Sequence, residues 1–253
     1  MNSMTTGLIC TGCVFGGALL GMWLSTLLPD HHLRGNSKDA VKVGGGMIAT
    51  LTALILGLLV GSAKSSFDLV QNGITQSGAK INLIDRVLTE YGPEAKAVRE
   101  QLRRSVAAVI EMVWPNPKTG VTGLTKLERA SGVEVFQSKL RELAPQTDTQ
   151  RVLLAQALQL SNDVSQTRWL LIEQEQSALP TVLLVILVFW LTMLHLSIGL
   201  FAERNATVII VLLIGALSVS AAIFLILEMN HPLEGMIQVS GAPMRKALEL
   251  IGQ

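Results

Sequence analysis

The chain has 253 residues, of which 49% are hydrophobic, 15% charged and 4% aromatic, with a formal net charge of +1. Soluble domains carry about a quarter charged residues, so this composition excludes an ordinary water-soluble globule. The near-zero charge gives no footing for nucleic acid or another strongly anionic partner. With so few aromatics, the apolar excess is Leu, Ile, Val, Ala and Gly, which suits lipid-facing helices better than an enzyme core.

A helix that crosses a bilayer needs about 20 apolar residues, because the hydrocarbon is about 30 Å thick and each residue rises about 1.5 Å. The first such stretch, residues 7–28, is uncharged and stops at Pro29-Asp30-His31-His32. Met1–Thr6 contain no Lys or Arg, and the run exceeds the about 7–15 residues of a signal-peptide core, so a retained span is expected. Gly12/Gly16 and Gly17/Gly21 form small-xxx-small pairs here, which let helix backbones approach closely in lipid. Either a subunit interface or packing within one subunit accounts for them. Cys10 and Cys13 lie inside the same run and suit neither a disulfide framework nor a redox or zinc site. His31-His32, adjacent on a loop, is a weak metal motif, and no metal site is expected.

The second stretch, residues 43–63, is uncharged between Lys42 and Lys64 and contains Thr50, Thr52, Ser62 and the pair Gly57/Gly61. Two readings stand for its hydroxyls. In one, Thr50, Leu51, Leu54, Leu58 and Ser62 line a pore that the leucines gate by dewetting. In the other, the hydroxyls bond back to their own helix.

Residues 64–178 hold most of the charge and predict a water-exposed helical insert. Phe67, Val70, Ile74, Ser77, Ile81, Ile84, Leu88 and Tyr91 follow a 3.5-residue period, the seam of a coiled coil or tight bundle. The seam starts four residues after Ala63, so the second span is expected to run on into it as one long helix. Gly92-Pro93 ends it. Val98, Leu102, Val106, Val109 and Val113 mark an amphipathic helix, residues 114–124 a loop, and residues 125–143 a shorter helix. A last helix over 149–178, capped by Thr147 or Asp148, has Val152, Leu153, Leu158, Leu160, Val164, Leu170 and Leu171 as its apolar positions.

The third span covers residues 179–202, opened by Pro180, and the fourth covers 206–227, ending at Glu228. His195 lies within the third span. Intramembrane ionisable residues are candidates for function, and the cheaper reading is a neutral imidazole bonded to a neighbouring helix. Glu203-Arg204 in the intervening turn suits a local ion pair. Beyond the fourth span, Glu228, His231, Pro232, Glu234 and Gly235 gather two carboxylates and an imidazole at a membrane boundary. They read either as a polar ion mouth or as a helix stop that re-aims the chain.

The fold class is therefore an all-α membrane protein, with four transmembrane helices and a long helical insert between the second and third. The expected segments are 1–63, 64–178, 179–228 and 229–253. No nucleophile–base pair, phosphate loop or zinc spacing appears, so neither an enzyme nor a cofactor is expected. Near-membrane cations Lys64, Arg168, Arg245 and Lys246 balance Arg34, Lys38, Lys42 and Arg204, so the positive-inside count chooses no orientation.

Three stretches resemble the bacterial bestrophin-like membrane proteins. They are Gly57-Leu58-Leu59-Val60-Gly61 with Phe67-Asp68, Gly199 through Thr207, and Leu217 through Glu228 continuing into Pro232-Leu233-Glu234-Gly235, Val239-Ser240 and Ala242 to Arg245. The resemblance implies an oligomeric ion channel in a bacterial inner membrane, pentameric by analogy, with lipid, ions and its own copies as partners. It also implies a cytoplasmic insert and cytoplasmic termini. One departure stands out: Gln76-Ser77-Gly78-Ala79 replaces a Glu-Ala-Asn-Ala-like stretch, so a carboxylate of that pattern is missing. The rival reading is a non-conducting scaffold, similar in outline to flagellar stator proteins, that works with a second protein.

Overall fold

The computed structural model describes residues 3–29, 36–115, 132–176 and 181–252. Helices α1 (Ser3–Leu27), α2 (Asn36–Tyr91), α3 (Lys96–Val113), α4 (Gly132–Arg141), α5 (Asp148–Gln176), α6 (Thr181–Phe201), α7 (Ala206–Met229) and α8 (Ala242–Leu250) follow in chain order. No strand occurs among the described residues. Helices α1, α2, α6 and α7 are each long and apolar enough to cross a membrane, and the chain is an integral membrane protein. Two compact units divide it: residues 1–65 with 179–230, and residues 66–178 with 231–253. Helix α2 belongs to both and runs unbroken for 56 residues, or about 84 Å at 1.5 Å per residue.

In the first unit α1 packs against α6 and α7. Its buried stripe, Thr6, Gly7, Cys10, Val14, Gly17, Ala18, Gly21 and Met22, steps by three and four, the spacing of one helix face. The contact with α6 is a backbone-to-backbone approach. A Cβ on Gly21 would strike the Leu196 carbonyl, and one on Gly199 would strike the Ala18 carbonyl. Only glycine fits there. In lipid, where tails are as apolar as Leu, such close van der Waals contact is what drives helices together. Asn205 caps α7, its side chain accepting from the Val208 N–H at 2.8 Å.

The second unit has a conventional hydrophobic core. Val70, Ile74, Ile81, Ile84, Leu88 and Tyr91 of the α2 seam are buried, and α3 supplies Val98, Leu102, Val106, Ile110 and Val113. The seam is thus buried by helices of its own chain. Helix α2 stops at Gly92, whose φ of +121° is glycine territory; Pro93 opens a short 3-10 turn that leads into α3. Gln150 Nε2 donates to the Tyr91 carbonyl at 3.1 Å, satisfying an orphan carbonyl at the end of α2.

Three expectations shift. Helix α4 is described only from Gly132 and ends at Arg141, with residues 125–131 outside the described residues and Leu143 beyond the helix. Helix α5 starts at Asp148, with Thr147 Oγ1 accepting from the Gln150 N–H at 3.1 Å as its cap. On α5, Val152 and Leu170 point outward, 67% and 58% exposed. The inner stripe runs through Ala157, Ser161, Arg168, Leu171 and Ile172, with the expected Leu153, Leu158, Leu160 and Val164 partly buried against the same core. Residues 152 and 170 are out of phase with that stripe.

One ion pair ties three elements of this unit. Arg99 on α3 donates from Nε and Nη2 to the two Asp85 oxygens on α2, at 2.8 and 2.9 Å. The Gly252 N–H adds a third bond to Asp85 at 3.3 Å. Hydrogen bonding to Asp85 pushes the Arg99 guanidinium further above its already high ordinary range, so it stays charged.

Asp85→Asn is expected to destabilise the unit by about 3 kcal/mol, the low end for breaking a buried pair, because the Arg99 side chain keeps 22% exposure. Arg99→Lys keeps the charge, loses the fork, and should cost less than half as much; denaturant unfolding of the full chain checks both. Gly199→Val should destabilise the first unit by about 3 kcal/mol through overpacking. Gly215→Ala, whose methyl would meet His195 Nε2 at an ordinary 3.5 Å, should leave the unfolding temperature in detergent nearly unchanged.

Candidate pore-lining face and membrane-boundary turn

Of the four membrane-length helices α2 is the least covered by its own chain: 11% of its most apolar window is buried, against 39% for α1. What it does bury is a narrow stripe of Thr52, Leu59 and Ala63. The opposite side presents Thr50, Leu51, Leu54, Leu58 and Ser62, all exposed within the single chain. Leu54 and Leu58 reach 61% and 65%. Thr50, Leu54, Leu58 and Ser62 are four apart, so they form one row with hydroxyls at both ends and leucines between.

The hydroxyls of Thr50 and Thr52 bond back to their own helix. Thr50 Oγ1 donates to the Gly46 carbonyl at 3.0 Å, and Thr52 Oγ1 to the Ile48 carbonyl at 2.7 Å. Thr52 is buried. Thr50 is exposed, and its oxygen keeps acceptor capacity toward whatever faces the helix.

The small-residue pairs separate by environment. Gly17 and Gly21 are filled from within: a Cβ on Gly17 would come within 2.8 Å of Thr192, and Gly21 meets α6. Gly12, Gly16, Gly57 and Gly61 have no atom within 4 Å of an added Cβ. Those four present open backbone.

His195 is 9% exposed, and its Nδ1 donates to the Leu191 carbonyl at 3.0 Å. The bond is to its own helix, not to a neighbour as expected, because Leu191 is one turn earlier and within reach of the ring. Arg204 also departs from expectation. Instead of a local pair with Glu203, its Nη2 donates to the Met22 carbonyl and lies 3.3 Å from Ser25 Oγ, a cation at the last turn of α1 where the helix dipole is negative.

At the end of α7, Glu228 is buried and already engaged. The segment that follows closes on its own backbone. Glu234 N–H donates to the His231 carbonyl at 3.0 Å, and Val239 N–H to the Pro232 carbonyl at 2.8 Å. Gly235 adopts φ of +84°. Pro232, Leu233 and Val239 are buried, His231 and Glu234 partly so, and Trp114 Nε1 donates to the Val239 carbonyl at 2.9 Å. The turn is anchored in the core of the second unit. Among the described residues no three His, Cys, Asp or Glu side chains come together to hold a metal ion; Asp30, His31 and His32 lie outside the described residues.

The Asp85–Arg99 pair escaped sequence reasoning, although both residues stand seven positions from Gly92. An acid and a base equidistant from a Gly-Pro turn are a usable signal for pairing across a helical hairpin. The bonds of Arg204 to α1 span 182 and 179 positions, and no local pattern announces them.

Comparison with known proteins supplies the family. The fold is similar to two single-substitution variants of a bacterial bestrophin homolog from Klebsiella pneumoniae. One is 13% identical with a TM-score of 0.65, over 97% of this chain and 99% of that one. The other is 14% identical with a TM-score of 0.64, over 100% of both chains. No curated protein sequence matches. A bestrophin-like domain spans residues 12–244, nearly the whole chain, and the chain belongs to the bestrophin-like family.

Proposed function

We propose that the chain is the subunit of a homo-oligomeric ion channel whose pore is lined by the Thr50–Ser62 face of α2. The observation that carries this reading is the row Thr50, Leu54, Leu58 and Ser62, left uncovered on the least buried apolar helix of a bestrophin-like fold. A row of leucines between hydroxyls can stay dry when closed and wet when widened, which gates ions without any charged group moving. The open backbones at Gly57 and Gly61 on α2 and at Gly12 and Gly16 on α1 suit close approach by helices of another copy. Four spans cross the bilayer in this reading, with the insert and both termini cytoplasmic in a bacterial inner membrane. Five copies is the number that the family analogy favours. Segment 228–235 serves as a structural stop rather than an ion mouth, since Glu228 is already engaged and the turn is held by its own backbone.

The test is single-channel recording from the purified protein alone in planar bilayers under asymmetric salt. Discrete openings with a defined reversal potential are expected, and Leu54→Ser should raise conductance or open probability severalfold by wetting the row. Val211→Ala on α7, exposed at 61% and read as lipid-facing, should leave currents unchanged. Silent membranes from a homogeneous oligomer would instead favour a scaffold that works with a second protein.

A further inference from the structure

The core of the second unit holds a cavity of about 100 Å³. Its wall is almost wholly apolar, formed by Ile81, Ile84, Val106, Trp114 and Phe136, with Ser161 set among them. Ser161 is 1% exposed, and its hydroxyl has no hydrogen-bond partner among the described residues. A buried hydroxyl left unbonded is costly, and such groups in native proteins call for an explanation. Ser105, on the same wall, is engaged elsewhere: its hydroxyl donates to the Gly132 carbonyl at 2.8 Å and accepts from Gln101 Nε2 at 3.4 Å.

The chemistry of the wall restricts the occupant. Water needs about two to four polar partners to be held, and the polar residues of this wall are only Ser77, Ser105, Ser161 and Arg168, of which Ser105 and Arg168 are already bonded elsewhere. Arg168 also lines the cavity, but its Nη1 is 3.0 Å from a Glu134 carboxylate oxygen, so its charge is answered and no ionic ligand is required. An apolar cavity of about 150 Å³ holds benzene, which scales here to about four or five heavy atoms. We propose that the cavity is a binding site for a small uncharged amphiphile, a short aliphatic body whose single hydroxyl or amide bonds Ser161 Oγ. The site is independent of conduction: nothing in its recognition uses the α2 face described above.

The test uses the full-length protein in detergent with Trp23, Trp169 and Trp190 replaced by Phe, leaving Trp114, which lines the cavity, as the reporter. The probes are 3-bromo-1-propanol and 1-bromopropane, whose bromine quenches indole emission. Saturable quenching by both is expected, tighter for the alcohol. Ser161→Val, nearly isosteric, should weaken the alcohol about fivefold, the worth of one hydrogen bond, and leave bromopropane unchanged. Val106→Phe should fill the space and abolish saturation by either probe. Non-saturable quenching that is the same in all variants would overturn the proposal, as would alcohol binding indifferent to Ser161→Val. If Val106→Phe fails to fold, Ser161→Val decides alone, with unchanged elution volume and unfolding temperature as its folding control.

Discussion

Hydrocarbon offers the backbone no hydrogen-bond partner, and the long apolar helices of this chain answer to that constraint. Inside a bilayer a helix bonds its own N–H and C=O groups, so the apolar stretches have one conformation open to them. Helix α2 shows the consequence most clearly. It carries seven glycines between Asn36 and Tyr91, each unfavourable to a helix in water, yet it runs unbroken; at the five from Gly44 to Gly61, melting in lipid would expose peptide groups. The break comes only at Gly92-Pro93, in the unit that carries most of the charge.

The two units are consequently held by different forces. In the first, apolar burial gains little in lipid, and the contact of α1 with α6 depends on shape: Gly17, Gly21 and Gly199 admit the backbones of their neighbours. In the second, the seam of α2 and the apolar face of α3 bury Leu88, Ile84 and Leu102 nearly completely, and the hydrophobic effect does the work, at about 25 cal/mol per Å². Asp85 and Arg99 then fix α2, α3 and the residues after α8 to one another. An apolar seam alone tolerates sliding by a turn. A bidentate pair tolerates far less, because its geometry is directional.

The sequence made the four long apolar helices and the seam legible because both depend on composition and period, which are local. Length alone placed α1, α2, α6 and α7, and the 3.5-residue repeat from Phe67 to Tyr91 placed the inner face of α2. The phase of α5 was harder. Its apolar residues are spread around the helix, and Val152 and Leu170 are as hydrophobic as Leu171, so only the neighbours decide which side faces in. The bonds of His195 and Arg204 were misjudged for opposite reasons. His195 had a partner one turn away that needed no second helix, whereas Arg204 reached α1, far along the chain. Ser161 gave no signal, since an unbonded hydroxyl is a property of its surroundings.

The candidate face of α2 also limits how it could discriminate ions. Between Val43 and Ala63 no side chain ionises, so the row offers hydroxyls and methyl groups but no fixed charge. An electrostatic filter of the ring-of-carboxylates kind is therefore not supplied by this stretch. A pore built on it would select chiefly by the cost of dehydrating an ion past Leu54 and Leu58, a cost set by ion size and hydration. Sign preference would then have to arise outside the leucine row, from helix dipoles or from charged side chains beyond Lys42 and Lys64. Gate and filter would be separable: widening the leucine row would change how often and how much current flows, while the sign of the favoured ion would follow charges elsewhere.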